Sequence, residues 1–174
     1  ALRAEIDNWR WADVPFFLRT GKRMAESARI ISIAFREPPK SMFPAYSGIG
    51  LAGEDHMTFD LADAARMSLS YYGKRPGPGM RLQKLSMQFD AEDGSDADQA
   101  LEAYERLIYD ATRDQRKLFT TAEGIESLWE VATPFLEDAP ALQFYEPGTY
   151  GPDSARELIE PRKWRLPFER KWRD

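Results

Sequence analysis

"RMSLSYYGKRPGPGMRLQKLSMQFD", residues 66–90, alternates in character twice and is broken once. Met67, Leu69 and Tyr71 form one set, with Arg66, Ser68, Ser70 and Tyr72 between them; past the corner, Leu85, Met87 and Phe89 alternate again. A period of two is what a pleated strand imposes on side chains, so the stretch predicts two strands joined by a short connection. Pro76 and Pro78 remove two amide donors from that connection, and no helix opens after it. "KRPGPGM", residues 74–80, therefore reads as a stiff turn in preference to a glycine-rich phosphate cradle. The polar set of the first strand suits water or a wet interface.

The same pattern extends upstream. "ARIISIAFR" (28–36) alternates Ile31, Ile33 and Phe35, and "HMTFDLAD" (56–63) reads as a further strand, with a proline- and glycine-rich loop between the two. "ALRAEIDNW" (1–9) alternates from its first residue and lacks an initial methionine, which predicts a piece cut from a longer polypeptide. Five or more strands with short connections indicate an antiparallel sheet.

After residue 90 the period changes. An acidic run, "DAEDGSDAD" (90–98), reads as a solvated linker; its glycine is misplaced for a calcium loop. "QALEAYERLIYDATR" (99–113) and "TTAEGIESLWEVATPFLE" (120–137) carry apolar residues at helical spacing, the second with Thr120 three residues ahead of Glu123 as a capping box. The stripes through Tyr104 and Trp129 are expected to be core. "YEPGTYGPDSARELI" (145–159) is a loop running into a short helix, with Pro152 suited to its first position. Strands first and helices after give an α+β class: a large, mainly antiparallel β-sheet with helices packed on one face.

Composition narrows the chemistry. The chain has 174 residues, 43% apolar and 30% charged, which is enough for one folded domain. A net charge of −5 argues against a general nucleic-acid binder, and no apolar run approaches the roughly 18 residues of a membrane span. Cysteine is absent, which excludes disulfides and thiolate metal sites and fits a reducing cytoplasm. His56 is the sole histidine and stands beside Glu54 and Asp55; it reads as an incidental surface residue, and no histidine triad or zinc site can be built around it.

The segment with the most chemical promise is "IDNWRWADVPFFLRTGKRM" (6–24), in which Trp9, Trp11, Phe16 and Phe17 precede Arg19-Thr20-Gly21-Lys22-Arg23. Arginine forks and lysine point charges bind phosphate, although the glycine and hydroxyl pattern of a Walker loop is missing. Two readings stay open on these residues alone: aromatics anchoring a strand with a solvated basic turn, or aromatics holding Lys22 still for an anion.

The stretch 1–24 resembles the entry to the C-terminal domain of glucose-6-phosphate dehydrogenases. "RPGPGM" (75–80), "AYERLIYDATRDQRKLFTTAEGIESLWEVATPFLE" (103–137) and "YEPGTYGP" (145–152) resemble later landmarks of that domain in the same order. The resemblance implies a two-domain parent that oxidises glucose 6-phosphate to the 6-phosphoglucono-lactone and reduces NADP or NAD, at the entrance to the pentose phosphate pathway. It implies an N-terminal dinucleotide-binding domain outside this chain, no metal, and homodimers pairing through the sheet face. It also implies that Lys22 contacts the sugar phosphate, with Arg19 shaping the same electropositive corner. The family's histidine base and nucleotide fingerprint lie upstream of Ala1, so the chain alone is expected to be inactive.

Three positions depart from the family pattern. Ser27 stands where a second basic residue is usual, Asp60 in place of an arginine and Ala62 in place of a glutamine. Losing a charge-assisted contact and a neutral hydrogen bond costs about 1.5–3 and 0.5–1.5 kcal/mol respectively. A diverged, non-catalytic dimerisation or regulatory paralogue is the alternative these changes raise.

Overall fold

The computed structural model describes residues 1–49, 53–61, 66–90 and 102–165. Two compact units divide the chain: residues 1–94 with 145–174, and residues 95–144.

The first unit carries all the described strands. β1 (Leu2–Ala4) pairs antiparallel with β2 (Phe16–Leu18), Leu2 opposite Leu18. β3 (Ile30–Ala34), β4 (His56–Asp60), β5 (Arg66–Lys74) and β6 (Leu82–Asp90) form a four-stranded antiparallel sheet in chain order. The strand read from alternation at 66–74 is recovered to the residue, and the one read at 81–90 begins one residue later, at Leu82. Their corner closes where the Arg75 amide donates to the Arg81 carbonyl at 2.8 Å. Lys74 Nζ donates to the carbonyls of Arg75 and Gly77, which stiffens it further. Residues 62–65, which include the end of the strand read at 56–63 and Ala62, and residues 91–98 of the acidic run lie outside the described residues.

Register places Ser32, Thr58, Ser68 and Gln88 in one row across the sheet, and Ala34, His56, Ser70 and Ser86 in the next. Those rows share a face. Ile31, Ile33, Met57, Phe59, Met67, Leu69, Met87 and Phe89 share the other. Burial is the reverse of what the alternation suggests. Thr58 and Ser70 are 1% and 2% exposed, whereas Ile31 and Phe89 are 53% and 47% exposed. The serines of the polar set of β5, a set suited to water or a wet interface, are thus covered. Hydroxyls of this face bond one another across strands, as Ser32 Oγ of β3 does with Thr58 Oγ1 of β4 at 3.1 Å. His56, expected on the surface, is buried in the same face, with Nδ1 at 3.3 Å from the Glu54 carbonyl.

Lys84 ties this sheet together. Its nearly buried ammonium donates to the carbonyls of Gly53 and Glu54 and to Asp55 Oδ1 at 3.1, 2.8 and 2.8 Å, and sits over the Tyr72 ring. α3 (Asp153–Glu157) closes the unit. Pro152 is its N-cap, one place before the helical position expected, and the Trp164 indole donates to the Ala155 carbonyl at 2.8 Å.

The second unit holds α1 (Ala103–Thr112) and α2 (Ala122–Glu137). α1 opens with a capping box between Glu102 and Glu105. α2 is capped by Thr121, whose hydroxyl accepts from the Gly124 amide, so the box expected from Thr120 and Glu123 does not form. The helix starts one residue later and puts glycine at the third position. Tyr104, Leu128 and Trp129, expected as core, are exposed in this chain. Helical spacing fixes which residues share a stripe, not what lies against it.

Candidate functional site

The strands set the approach to the basic turn. Trp11 meets Phe16 edge-on at 5.3 Å, and Phe17 meets Trp164 edge-on at 6.5 Å, so β2 ends in a packed aromatic corner. Trp9 takes no part and stands almost fully exposed. Asn8 Oδ1 accepts from the amides of Arg10 and Trp11, turning the chain between β1 and β2.

Beyond β2 the chain enters the turn at Arg19. Its guanidinium lies 5.2 Å from the Tyr150 ring centre and 4.6 Å from that of Trp164, and donates to the Tyr150 carbonyl at 3.3 Å. Burial lowers the Arg19 pKa, partly opposed by the Tyr150 interaction, which raises it. Arginine suits this position because its flat, weakly hydrated fork can stack on rings while still donating.

Lys22 follows three residues later. Its side chain is exposed and has no ionic partner among the described residues, while its backbone is held from several directions. Tyr145 Oη donates to the Lys22 carbonyl at 2.5 Å, the Gly148 amide to the Arg23 carbonyl at 2.9 Å, and the Ala25 amide to the Thr149 carbonyl at 2.9 Å. Tyr150 Oη donates to Glu26 Oε1 at 2.7 Å. The turn is pinned along 22–26 by 145–150, the stretch read from sequence as a plain loop.

Two glycines make the fit possible. A Cβ at Gly21 would meet Met24 Sδ and Tyr145 Oη, each at 3.0 Å, tighter than ordinary contact. Gly148, with φ of 82°, adopts the left-handed backbone that lets its amide reach Arg23.

Arg19 and Lys22 thus share one corner in different roles: a stacked guanidinium bound to the scaffold, and an ammonium presented on it. Sequence reasoning missed the supports Tyr145, Tyr150 and Trp164. No local pattern could pair residues 123 positions apart, as Lys22 and Tyr145 are. Ser27 lies exposed just past the turn; Asp60 ends β4 opposite Arg66 and Ile30. Among the described residues, no group of three or more His, Asp or Glu could hold a metal, and no helix is long and apolar enough to cross a membrane.

Comparison with known proteins places this geometry. The chain is 36% identical over 172 residues to a glucose-6-phosphate 1-dehydrogenase of Aggregatibacter actinomycetemcomitans, covering 96% of this chain and 34% of that protein. It is 38% identical over 165 residues to the enzyme of the same name from Rhizobium meliloti, covering 92% of this chain and 33% of that protein. A crystal structure of glucose-6-phosphate 1-dehydrogenase from Mycobacterium avium superposes with a TM-score of 0.74 at 28% identity, over 96% of this chain and 34% of that one. The chain spans about a third of the length of these relatives. Its residues 1–173 match the family model described as the C-terminal domain of glucose-6-phosphate dehydrogenase, and the chain belongs to that family.

Proposed function

We propose that this chain is the substrate-holding portion of a glucose-6-phosphate dehydrogenase, in which Lys22 binds the phosphate of glucose 6-phosphate. The observation that carries the reading is the pairing of a free, exposed ammonium with a backbone pinned by Tyr145, Gly148 and Thr149. A phosphomonoester near neutral pH is largely a dianion, and a pre-positioned point charge binds it with little ordering cost. Arg19 adds a second positive charge to the corner and keeps β2 aligned with Tyr150 and Trp164.

The whole protein would oxidise the sugar at C1 and hand hydride to NADP or NAD. The described residues do not fit that cofactor. Their sheet is antiparallel throughout and offers no glycine-rich turn from a parallel strand into a helix. The dinucleotide then belongs to an N-terminal domain, and this chain's task is confined to gripping and orienting the sugar phosphate. Pairing of two copies through the open sheet face belongs to the same reading, supported by the exposed Ile31, Ile33, Met87 and Phe89. A cytoplasmic location accords with the absence of cysteine.

The test is steady-state kinetics of the full-length polypeptide with glucose 6-phosphate and each dinucleotide. Lys22→Ala removes one charge-assisted contact, about 1.5–3 kcal/mol, so KM for the sugar phosphate should rise about 10- to 150-fold with kcat changed much less. An unchanged KM would remove Lys22 from the site. The second reading, a non-catalytic paralogue, rests on Asp60 and Ser27, an acid and a neutral residue where relatives usually carry cations. A folded full-length protein with no turnover on either dinucleotide would favour it.

A further inference from the structure

The hairpin joining β5 to β6 holds a second concentration of positive charge, and it shares no residue with the Lys22 corner. A pocket of about 270 Å³ is lined there by Tyr46, Tyr72, Arg75, Arg81, Gln83 and Lys84, with the backbone of the 46–48 turn along its edge. Three of those side chains are cations and none is a carboxylate. Lys84 is already matched, since it binds Asp55 Oδ1 and two carbonyls. Arg75 and Arg81 are not. Both are exposed, and neither has an ionic partner among the described residues. The acids beside Lys84 are also engaged: Glu54 accepts from Arg165 at 3.3 Å and Asp55 from Lys84.

Their placement is costly. The Arg75 amide donates to the Arg81 carbonyl at 2.8 Å, which makes the two residues direct cross-strand partners. Like charges in directly opposed positions destabilise an antiparallel pair, and a stiff proline turn leaves the backbone little room to separate them. The larger pocket of the helical unit, about 360 Å³, differs in this respect. There the buried Asp110 carboxylate accepts from Arg106 Nε at 2.9 Å and neutralises part of the charge. The hairpin pocket has no such internal counter-ion. Arg75 and Arg81 both line this cavity, and a pair of adjacent guanidinium forks matches the oxygens of a phosphoryl group.

We propose that Arg75 and Arg81 form a second anion site that takes a small phosphorylated compound, separate from the sugar phosphate held at Lys22. The bound phosphoryl group bridges the two guanidinium groups and relieves their repulsion, so occupancy stabilises the hairpin.

The experiment titrates the full-length polypeptide with pyrophosphate at constant ionic strength, by calorimetry and by thermal unfolding, for the wild type, Arg75→Ala/Arg81→Ala, Arg81→Glu and Lys22→Ala. Wild type should bind saturably, with a melting temperature that rises with pyrophosphate concentration. The double variant should bind at least tenfold more weakly and lose that rise. Arg81→Glu should melt no lower than wild type without pyrophosphate, because an attractive pair replaces a repulsive one, and should show no rise with it. Lys22→Ala should retain the response. Equal binding by wild type and the double variant would overturn the proposal. So would loss of the response in Lys22→Ala alone, or a response that sulfate reproduces at the same concentration and that never saturates.

Discussion

At the scale of single residues, the proposed site divides into cations assigned to the ligand and groups that brace them. The sequence singled out Lys22 and Arg19 as cations flanking a glycine turn, but on the residues alone a solvated turn remained open, and the anion role came only from the family resemblance. Tyr145 was not singled out, although it makes the shortest contact to the turn, because nothing within its own neighbourhood refers to residue 22. Tyr145→Phe isolates that contribution. It deletes the bond to the Lys22 carbonyl and leaves the ring, at a cost of about 0.5–1.5 kcal/mol. We expect KM for glucose 6-phosphate to rise about two- to tenfold in the full-length polypeptide, with kcat held within a factor of two. A fall in melting temperature with KM unmoved would show that Tyr145 supports the fold without positioning the ammonium.

At the scale of elements, alternation located β5 to the residue, β6 to within one residue and β3 and β4 to within a few, because a pleated strand leaves its period in the sequence. Alternation could not say which face is covered. The Ser32–Thr58–Ser68 row reads as a solvent face on polarity alone, yet it is the buried one. Small hydroxyls satisfy one another across strands and pack closely, so burial there is compatible with their chemistry. Lys84 illustrates the same point, since its ammonium is nearly buried and three oxygens surround it. Lys84→Met keeps the stem and removes the charge, leaving two carbonyls and Asp55 short of a donor. Unfolding in urea should show a loss of about 1–3 kcal/mol. No loss would mean that water replaces the ammonium freely and that β6 is not tied to the 53–55 lead-in by this group.

At the scale of the whole chain, the balance between exposed and buried apolar groups decides behaviour in solution. The only buried hydrophobic residues among those described are Ala155 and Ile159. Meanwhile Ile31, Ile33, Phe89, Leu128, Trp129 and Phe135 keep large apolar areas in water. Exposure of that kind, on the sheet of one unit and separately on α2 of the other, marks surfaces built to be covered. The 174 residues produced by themselves should therefore bind a hydrophobic dye strongly and melt broadly, while the full-length polypeptide should melt cooperatively with little dye uptake. A sharp, dye-silent transition in the isolated chain would show that these faces need no cover.

The clamp on the basic turn also has a consequence in time. Arg19 and Tyr150 are 131 residues apart. At about 5–20 residues per second, a ribosome needs roughly 7–26 s to travel between them. During that interval the nascent turn has its charges but not its brace, which arrives only once residue 150 has been made.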